Sequence, residues 1–280
     1  MIEPVAGSGR RWLLLPVLLV LAVYVMPAFQ ADFVADDRLL IAGHQHPGAV
    51  LGEWTTPTHG YATGGDPGYT WRPLTATLYH VWGGIFGRAP APFRLLNVAL
   101  HILNVFNFYA VARRLGAAAA GAAGLAAIWA IHPALVDAVG WASDTCDLLS
   151  TAGMLGCAWL ALGAGGWPRA LSLFVGMFLS LLAKESAVAL AASLPLGLAL
   201  LGRRRDAAAV ALPLVGAAGL HQAWHHAVTG QQHLLLCCSA ALPKPRSDAT
   251  SSSSRRTARS TGACRCLRSR GAAGPASTAR

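Results

Sequence analysis

Hydrophobic positions run unbroken from Trp12 to about Phe29, long enough to cross a hydrocarbon core about 30 Å thick. Arg10 and Arg11 precede the run. The stretch is longer than the apolar core of a signal peptide, and no small-x-small cleavage pattern precedes the charged loop after it. A retained first helix is therefore expected, rather than a cleaved signal. Further apolar segments run from about 95 to 112, 117 to 132, 147 to 164, 169 to 183, 186 to 201 and 207 to 221. Between the first and second segments, residues 31 to 93 are too long and too mixed to be a mere connector. Gly and Pro punctuate the early part, whereas "TATLYHVWGGIF" reads as a short interfacial helix. Trp54, Tyr61, Tyr69, Trp71, Tyr79 and Trp82 suit a belt at the headgroup level. The pattern predicts an all-α polytopic membrane protein with about seven transmembrane helices. Its long first extracytoplasmic loop bears short interfacial helices.

Composition agrees, with 54% of residues hydrophobic and 12% charged, against roughly 25% charged in an average soluble domain. The formal charge of +10 invites a nucleic-acid reading, but nine of the 22 Lys and Arg residues lie beyond residue 236, where Asp248 is the one acid. The rest of the chain is nearly balanced, so no nucleic-acid partner is expected. Residues 226–280 form a basic tail that from Cys237 onward contains no Val, Ile, Phe, Met, Tyr or Trp. Such a segment cannot bury enough apolar surface to offset the entropy of ordering, and disorder is expected. Its Arg, Ser, Ala and Cys bias is what out-of-frame reading of GC-rich DNA produces, and a frameshift near residue 235 is the preferred reading. The alternative is a genuine tail that binds anionic lipid. Cys237, Cys238, Cys264 and Cys266 lack zinc-site spacing, and neither a metal cluster nor a disulfide framework is read from the cysteines.

Charge placement sets the expected orientation. With residues 1–11 cytoplasmic, the inside loops hold Arg113 and Arg114, then Arg169, then Arg203, Arg204 and Arg205, as the positive-inside rule requires. The 12–225 membrane domain then sends nearly every carboxylate to the outer face. An Asp at a helix centre costs about 2.5 to 3.5 kcal/mol on insertion scales, so Asp36 and Asp37 belong just beyond the first span. On the second span Asn97, His101 and Asn104 share one helix face. That face either bonds neighbouring helices or lines a substrate cavity. His132 ends one span, and Asp137, Asp144 and Asp147 follow on the outer side. Asp147 suits the first turn of the next helix, whereas Asp137 is placed to orient a cation or an acceptor. Lys184 and Glu185 interrupt an apolar stretch either as a pair with each other or, for Lys184 together with Arg72, as phosphate ligands. His44, His46 and His59 lack a third ligand of diagnostic spacing, so no metal is assigned to them.

The ordered series "FVADDRLL", "WRPL", "NVALH", "HPALVDAVGW", "DLL" and "AKESAVALAASLP" resembles the membrane half of the transmembrane and tetratricopeptide-repeat O-mannosyltransferases, which have the GT-C fold. The resemblance covers roughly residues 10 to 225. It implies transfer of a sugar, typically mannose, with inversion, from a polyprenyl-phosphate donor to a protein hydroxyl outside the cytoplasm. That places the chain as a multi-pass protein of the inner (plasma) membrane. By the same match Asp36 is the general base, and Asp37 positions the acceptor or holds Arg38. Arg72 and Lys184 are the groups expected to meet the leaving phosphate, with Glu185, His132, Asp137, Asn97 and His101 around the substrate. No cofactor is assigned, and a divalent cation is left open. The sequence departs from the family where "DTCDLL" puts Asp144 and Thr145 in place of Gly and Arg. It departs again at Trp71, which stands for the usual tyrosine, and no tetratricopeptide repeats follow. The competing expectation is a transporter or lipid-handling protein in which the same ionisable residues line a pathway.

Overall fold

The computed structural model describes residues 10–30, 32–34, 37–43, 49–55, 58–59, 69–163 and 165–230. Asp36, His44, His46, the side chain of His59 and the tail from residue 231 lie outside the described residues.

A 3-10 turn, Arg10–Leu13, leads into α1 (Leu14–Gln30). The first loop contributes α2 (Asp37–Gly43), α3 (Ala49–Thr55) and α4 (Pro73–Phe86). Between α3 and α4, β1 (Thr58–His59) pairs antiparallel with β2 (Tyr69–Thr70), a small exception to the all-helical expectation. Then come α5 (Pro90–Arg114), α6 (Ala119–Ala130), the short α7 (Val136–Gly140), α8 (Thr145–Ala161), α9 (Trp167–Ala183), α10 (Leu190–Leu200) and α11 (Arg204–Thr229). Proline opens α4 and α5, where its missing N–H costs nothing and its fixed φ suits a helix start.

Every predicted apolar segment is helical, but not every helix is long enough to span a bilayer. Residues 11–30, 90–114 and 204–229 have the length and apolarity to do so. A fourth candidate is bent, with Ala119–Ala130 meeting Pro133–Gly140 at 57°. The 17 residues of α8 or α9 rise about 25 Å, short of the roughly 30 Å hydrocarbon thickness.

Two cores meet at α8. On one side Val20 and Tyr24 of α1, Val98, Val105 and Tyr109 of α5, and Ala122, Ala123 and Ala126 of α6 pack with Leu148. On the other, Cys157 and Ala161 join Leu173, Met177 and Leu181 of α9, Leu198 of α10, and Val210 and Leu214 of α11. Alanine on α6 and small residues along α8 and α9 allow close helix approach, the usual basis of packing where lipid supplies no hydrophobic drive. Large apolar side chains point outward all round: Leu18 and Met26 on α1, Ile128 on α6, Leu200 on α10, and Leu212 on α11. Outward-facing hydrophobics on helices of this length mark a membrane protein.

The helices alternate in direction, so polar groups gather at two ends. At one end Arg169 meets Asp206 at 3.3 Å and Arg203 meets the same carboxylate at 2.9 Å. There Arg114 donates to the Trp159 carbonyl at 2.6 Å, with its guanidinium 3.5 Å above that ring. Asp37, Arg72, Arg94, Asp137, Asp144, Asp147, Lys184 and Glu185 occupy the opposite end.

Candidate active site

The polar end is built on the 141–145 turn between α7 and α8. Asn97 of α5 donates through Nδ2 to the Trp141 carbonyl at 2.6 Å, and its Oδ1 accepts from Thr145 Oγ1 at 2.6 Å. Tyr79 of α4 donates to the Ser143 carbonyl at 2.7 Å. Asp37 closes the turn from the first loop, its Oδ1 accepting from the Ser143 N–H at 2.8 Å and its Oδ2 from the Val34 N–H at 3.0 Å. Arg94, almost wholly buried, stands 3.9 Å from Asp37 and donates to the Gly140 and Asp32 carbonyls.

With its carboxylate fully buried, Asp37 is a positioning group that ties the first loop to the turn. It does not hold Arg38, whose guanidinium reaches Asp32 at 3.3 Å in the open. Neighbouring helix positions point about 100° apart, so Asp37 and Arg38 face different surroundings.

Two crossed ion pairs lie beyond the turn. Arg72 donates through Nε and Nη2 to the two oxygens of Glu185 at 2.9 and 2.6 Å. Lys184 donates to both oxygens of Asp147 at 2.6 Å. The Lys184–Glu185 pair, one of the two readings of these residues, therefore does not form. Asp147 sits in the first turn of α8 as expected and also clamps α9. Burial alone would raise the Glu185 carboxyl, but the hydrogen bonds and charge of Arg72 outweigh it and hold the group at about 2. Asp144 is pushed up to about 6, first by burial and then by the neighbouring Asp147 charge, against the pull of Lys184. Asp144, Cys146 and Asp147 bring one potential ligand atom each within 4.8 Å of one another, a spacing suited to a divalent cation. Lys184 on Asp147, and Arg72 Nη1 at 3.5 Å from the Cys146 sulfur, already bring positive charge to that trio.

The remaining predicted residues divide. His132 caps the 133–135 turn, its Nδ1 accepting from the Ala134 N–H at 3.2 Å. His101 bonds the Ala130 carbonyl at 2.8 Å, and together with Asn104 it also lines a cavity of about 360 Å³ whose rim holds Asp137, Asp144 and Asp147. Both readings of the α5 polar face thus apply to different residues: Asn97 is structural, and His101 does both.

Trp71 and Tyr79 do not belong to a headgroup belt. Trp71 is buried against His221, Trp224 and His225 of α11, with ring centroids 5.6 to 5.9 Å apart. Tyr79 is buried against Phe93, where its hydroxyl finds the Ser143 carbonyl. Arg94 was missed in the sequence reading although a signal existed. It is the lone charge between Arg88 and Arg113, and a cation inside an apolar helix requires a partner.

No family model matches the chain, and no solved structure matches it significantly. In a match of 139 aligned residues that covers 46% of the chain, the sequence is 30% identical to the protein O-mannosyl-transferase Tmtc1 of Drosophila melanogaster. The match spans 15% of that protein.

Proposed function

We propose that this chain is the membrane-embedded part of a GT-C-type glycosyltransferase with seven transmembrane segments, four of them short or bent. It moves a sugar, mannose in the first instance, from a polyprenyl-phosphate donor to a protein hydroxyl on the extracytoplasmic face of the inner membrane. The observation that carries the reading is the convergence of Asp37, Arg72, Asp147, Lys184 and Glu185 at one end of an apolar bundle. A charged mouth bordered by lipid suits a substrate with a phosphate head and a hydrocarbon tail, and the likeness to an O-mannosyl-transferase supplies the reaction class.

The acceptor hydroxyl attacks the anomeric carbon from the face opposite the phosphate. Its proton passes to Asp36, the C–O bond to the phosphate breaks, and the configuration inverts. A hydroxyl is a poor nucleophile until a positioned base accepts its proton. Charge grows on the departing lipid phosphate, where cations contribute most. Arg72 and Lys184 supply them, each fixed by a carboxylate and each retaining a donor beyond that pair.

The test uses membranes containing the protein, radiolabelled polyprenyl-phosphate-mannose and periplasmic protein, with label followed into protein. Transfer by the wild type and its loss in Asp36→Asn, at equal insertion, support the mechanism, since the variant keeps shape and removes the base. Undiminished transfer by Asp36→Asn refutes that role. No transfer by the wild type, with this donor or with other polyprenyl-phosphate sugars, refutes the activity.

A further inference from the structure

The cavity beside the ion pairs is lined at its base by His101 and Asn104 of α5 and Trp129 of α6, and at its rim by Asp137, Asp144 and Asp147. Its volume of about 360 Å³ lies at the small end of the roughly 300 to 1,000 Å³ typical of small-molecule sites. His101 and Asn104 are fully buried, and each commits one polar atom to a neighbouring helix. Asn104 Nδ2 donates to the Leu148 carbonyl at 2.9 Å. His101 Nε2 lies 2.8 Å from the Ala130 carbonyl. A carbonyl only accepts, so Nε2 carries the proton, and the neutral ring leaves Nδ1 as an acceptor. Both remaining atoms, His101 Nδ1 and Asn104 Oδ1, have no partner, which is rare for buried polar groups and calls for a ligand that supplies donors.

No Lys or Arg lines the cavity, so it does not suit a phosphate. Carboxylates above and two neutral acceptors below match hydroxyl groups. The Trp129 ring, flat against Phe108 with centroids 5.2 Å apart and planes 11° apart and 5.5 Å from the His101 ring, gives the cavity an apolar wall. A bare cation has no use for that wall.

We propose that this cavity receives the pyranose ring of the donor, with Asn104 Oδ1 and His101 Nδ1 accepting from its hydroxyls, Trp129 packing on its face, and Asp137 closing the rim. The assignment rests on the glycosyltransferase reading and gives the donor a direction. Asp147 lines the cavity on one side and holds Lys184 on the other, so a ring seated here turns its phosphate toward Lys184 and Arg72.

The test takes the full chain in detergent micelles and measures saturation-transfer NMR with methyl α-mannopyranoside as the probe, with manganese chloride titrated in parallel. Donor KM and kcat are read in the transfer assay. The variants are Asn104→Leu and Asp137→Asn, the second an exposed side chain on the short α7 where folding is not at stake. The wild type should bind the mannoside, and each variant should weaken binding and raise donor KM about tenfold, the effect of one lost hydrogen bond to a charged or buried group. Binding unchanged in both variants, or manganese binding that depends on Asn104 and Asp137 without mannoside binding, overturns the assignment. Transfer by Asp137→Asn with wild-type KM overturns this subsite and leaves the transferase reading standing. Mannoside binding that requires Asn104, in a protein that transfers no sugar, sustains the cavity and refutes the transferase.

Discussion

Replacing Gly153 by alanine tests the packing that sets the site. On α8, Gly153 and Cys157 are one turn apart, and on α9 so are Gly176 and Ser180. A Cβ built at Gly153 would lie 2.0 Å from Ser180 Oγ, 3.2 Å from Ser180 Cβ and 3.3 Å from the Gly176 carbonyl. Ser180 Oγ donates to that same carbonyl at 2.7 Å. Turning the hydroxyl away gives up this bond, about 1 kcal/mol, and still leaves two tight contacts. Separating the helices instead carries the overpacking cost of about 1 to 3 kcal/mol. Against either stands the helix-propensity gain of alanine over glycine, about 1 kcal/mol. Gly156→Ala on the same helix takes that gain with nothing within 4 Å, and is the control. Thermal unfolding in detergent, followed by size-exclusion chromatography, should rank Gly156→Ala at or above wild type and Gly153→Ala below it. Ser180→Ala in the Gly153→Ala background should recover part of the loss, a coupling of about 1 kcal/mol. Gly153→Ala should also lower transfer, because α8 carries Asp147 and α9 leads into Lys184. Equal melting of the two alanine variants, or no coupling to Ser180, would refute the close approach of α8 and α9.

Three further outcomes follow from the ion pairs and the buried arginine. Lys184→Met leaves Asp147 unpaired beside Asp144, so transfer should fall at least about tenfold. Adding Asp147→Asn should restore thermal stability without restoring transfer, a split that a purely structural lysine would not give. Asp144, raised to about 6 in the folded protein, contributes stability that is fully present below its unfolded pKa near 4 and is lost as pH rises through about 6. The wild type should therefore lose melting temperature relative to Asp144→Asn across that window, which parallel melts of the two from pH 4 to 7 measure directly. Arg94→Met leaves Asp37 buried without its cation and the Gly140 carbonyl without a donor, and should cost about 3 to 5 kcal/mol. Arg94→Met with Asp37→Asn should melt higher than Arg94→Met alone.

The helices were legible because apolar runs of this length have few alternatives, and the gathering of most carboxylates at one end of the bundle followed from the cost of burying them. What escaped were contacts between distant segments. Trp71 reads as an interfacial aromatic until His221 and His225, some 150 residues later, are seen to face it. The polar face of α5 was visible as a stripe, yet spacing alone does not say that Asn97 spends both ends of its amide on the 141–145 turn while Asn104 keeps one free.

The crossed ion pairs have a local cause that sequence reading passed over. Lys184 ends α9 in an extended conformation, φ −157° and ψ 132°, and residues 185–189 form a 3-10 turn before α10. The predicted continuous span from 186 is thus interrupted at its start. The change from extended Lys184 to the 3-10 turn that begins at Glu185 breaks the helical progression, and Lys184 turns to Asp147 on α8 while Glu185 turns to Arg72 at the start of α4. A helical continuation would have put both side chains on adjacent faces of one cylinder, within reach of a single partner element. The break therefore does two things at once. It shortens the last turn of α9, and it lets two consecutive residues tie the first loop and the α8 end into one charged mouth.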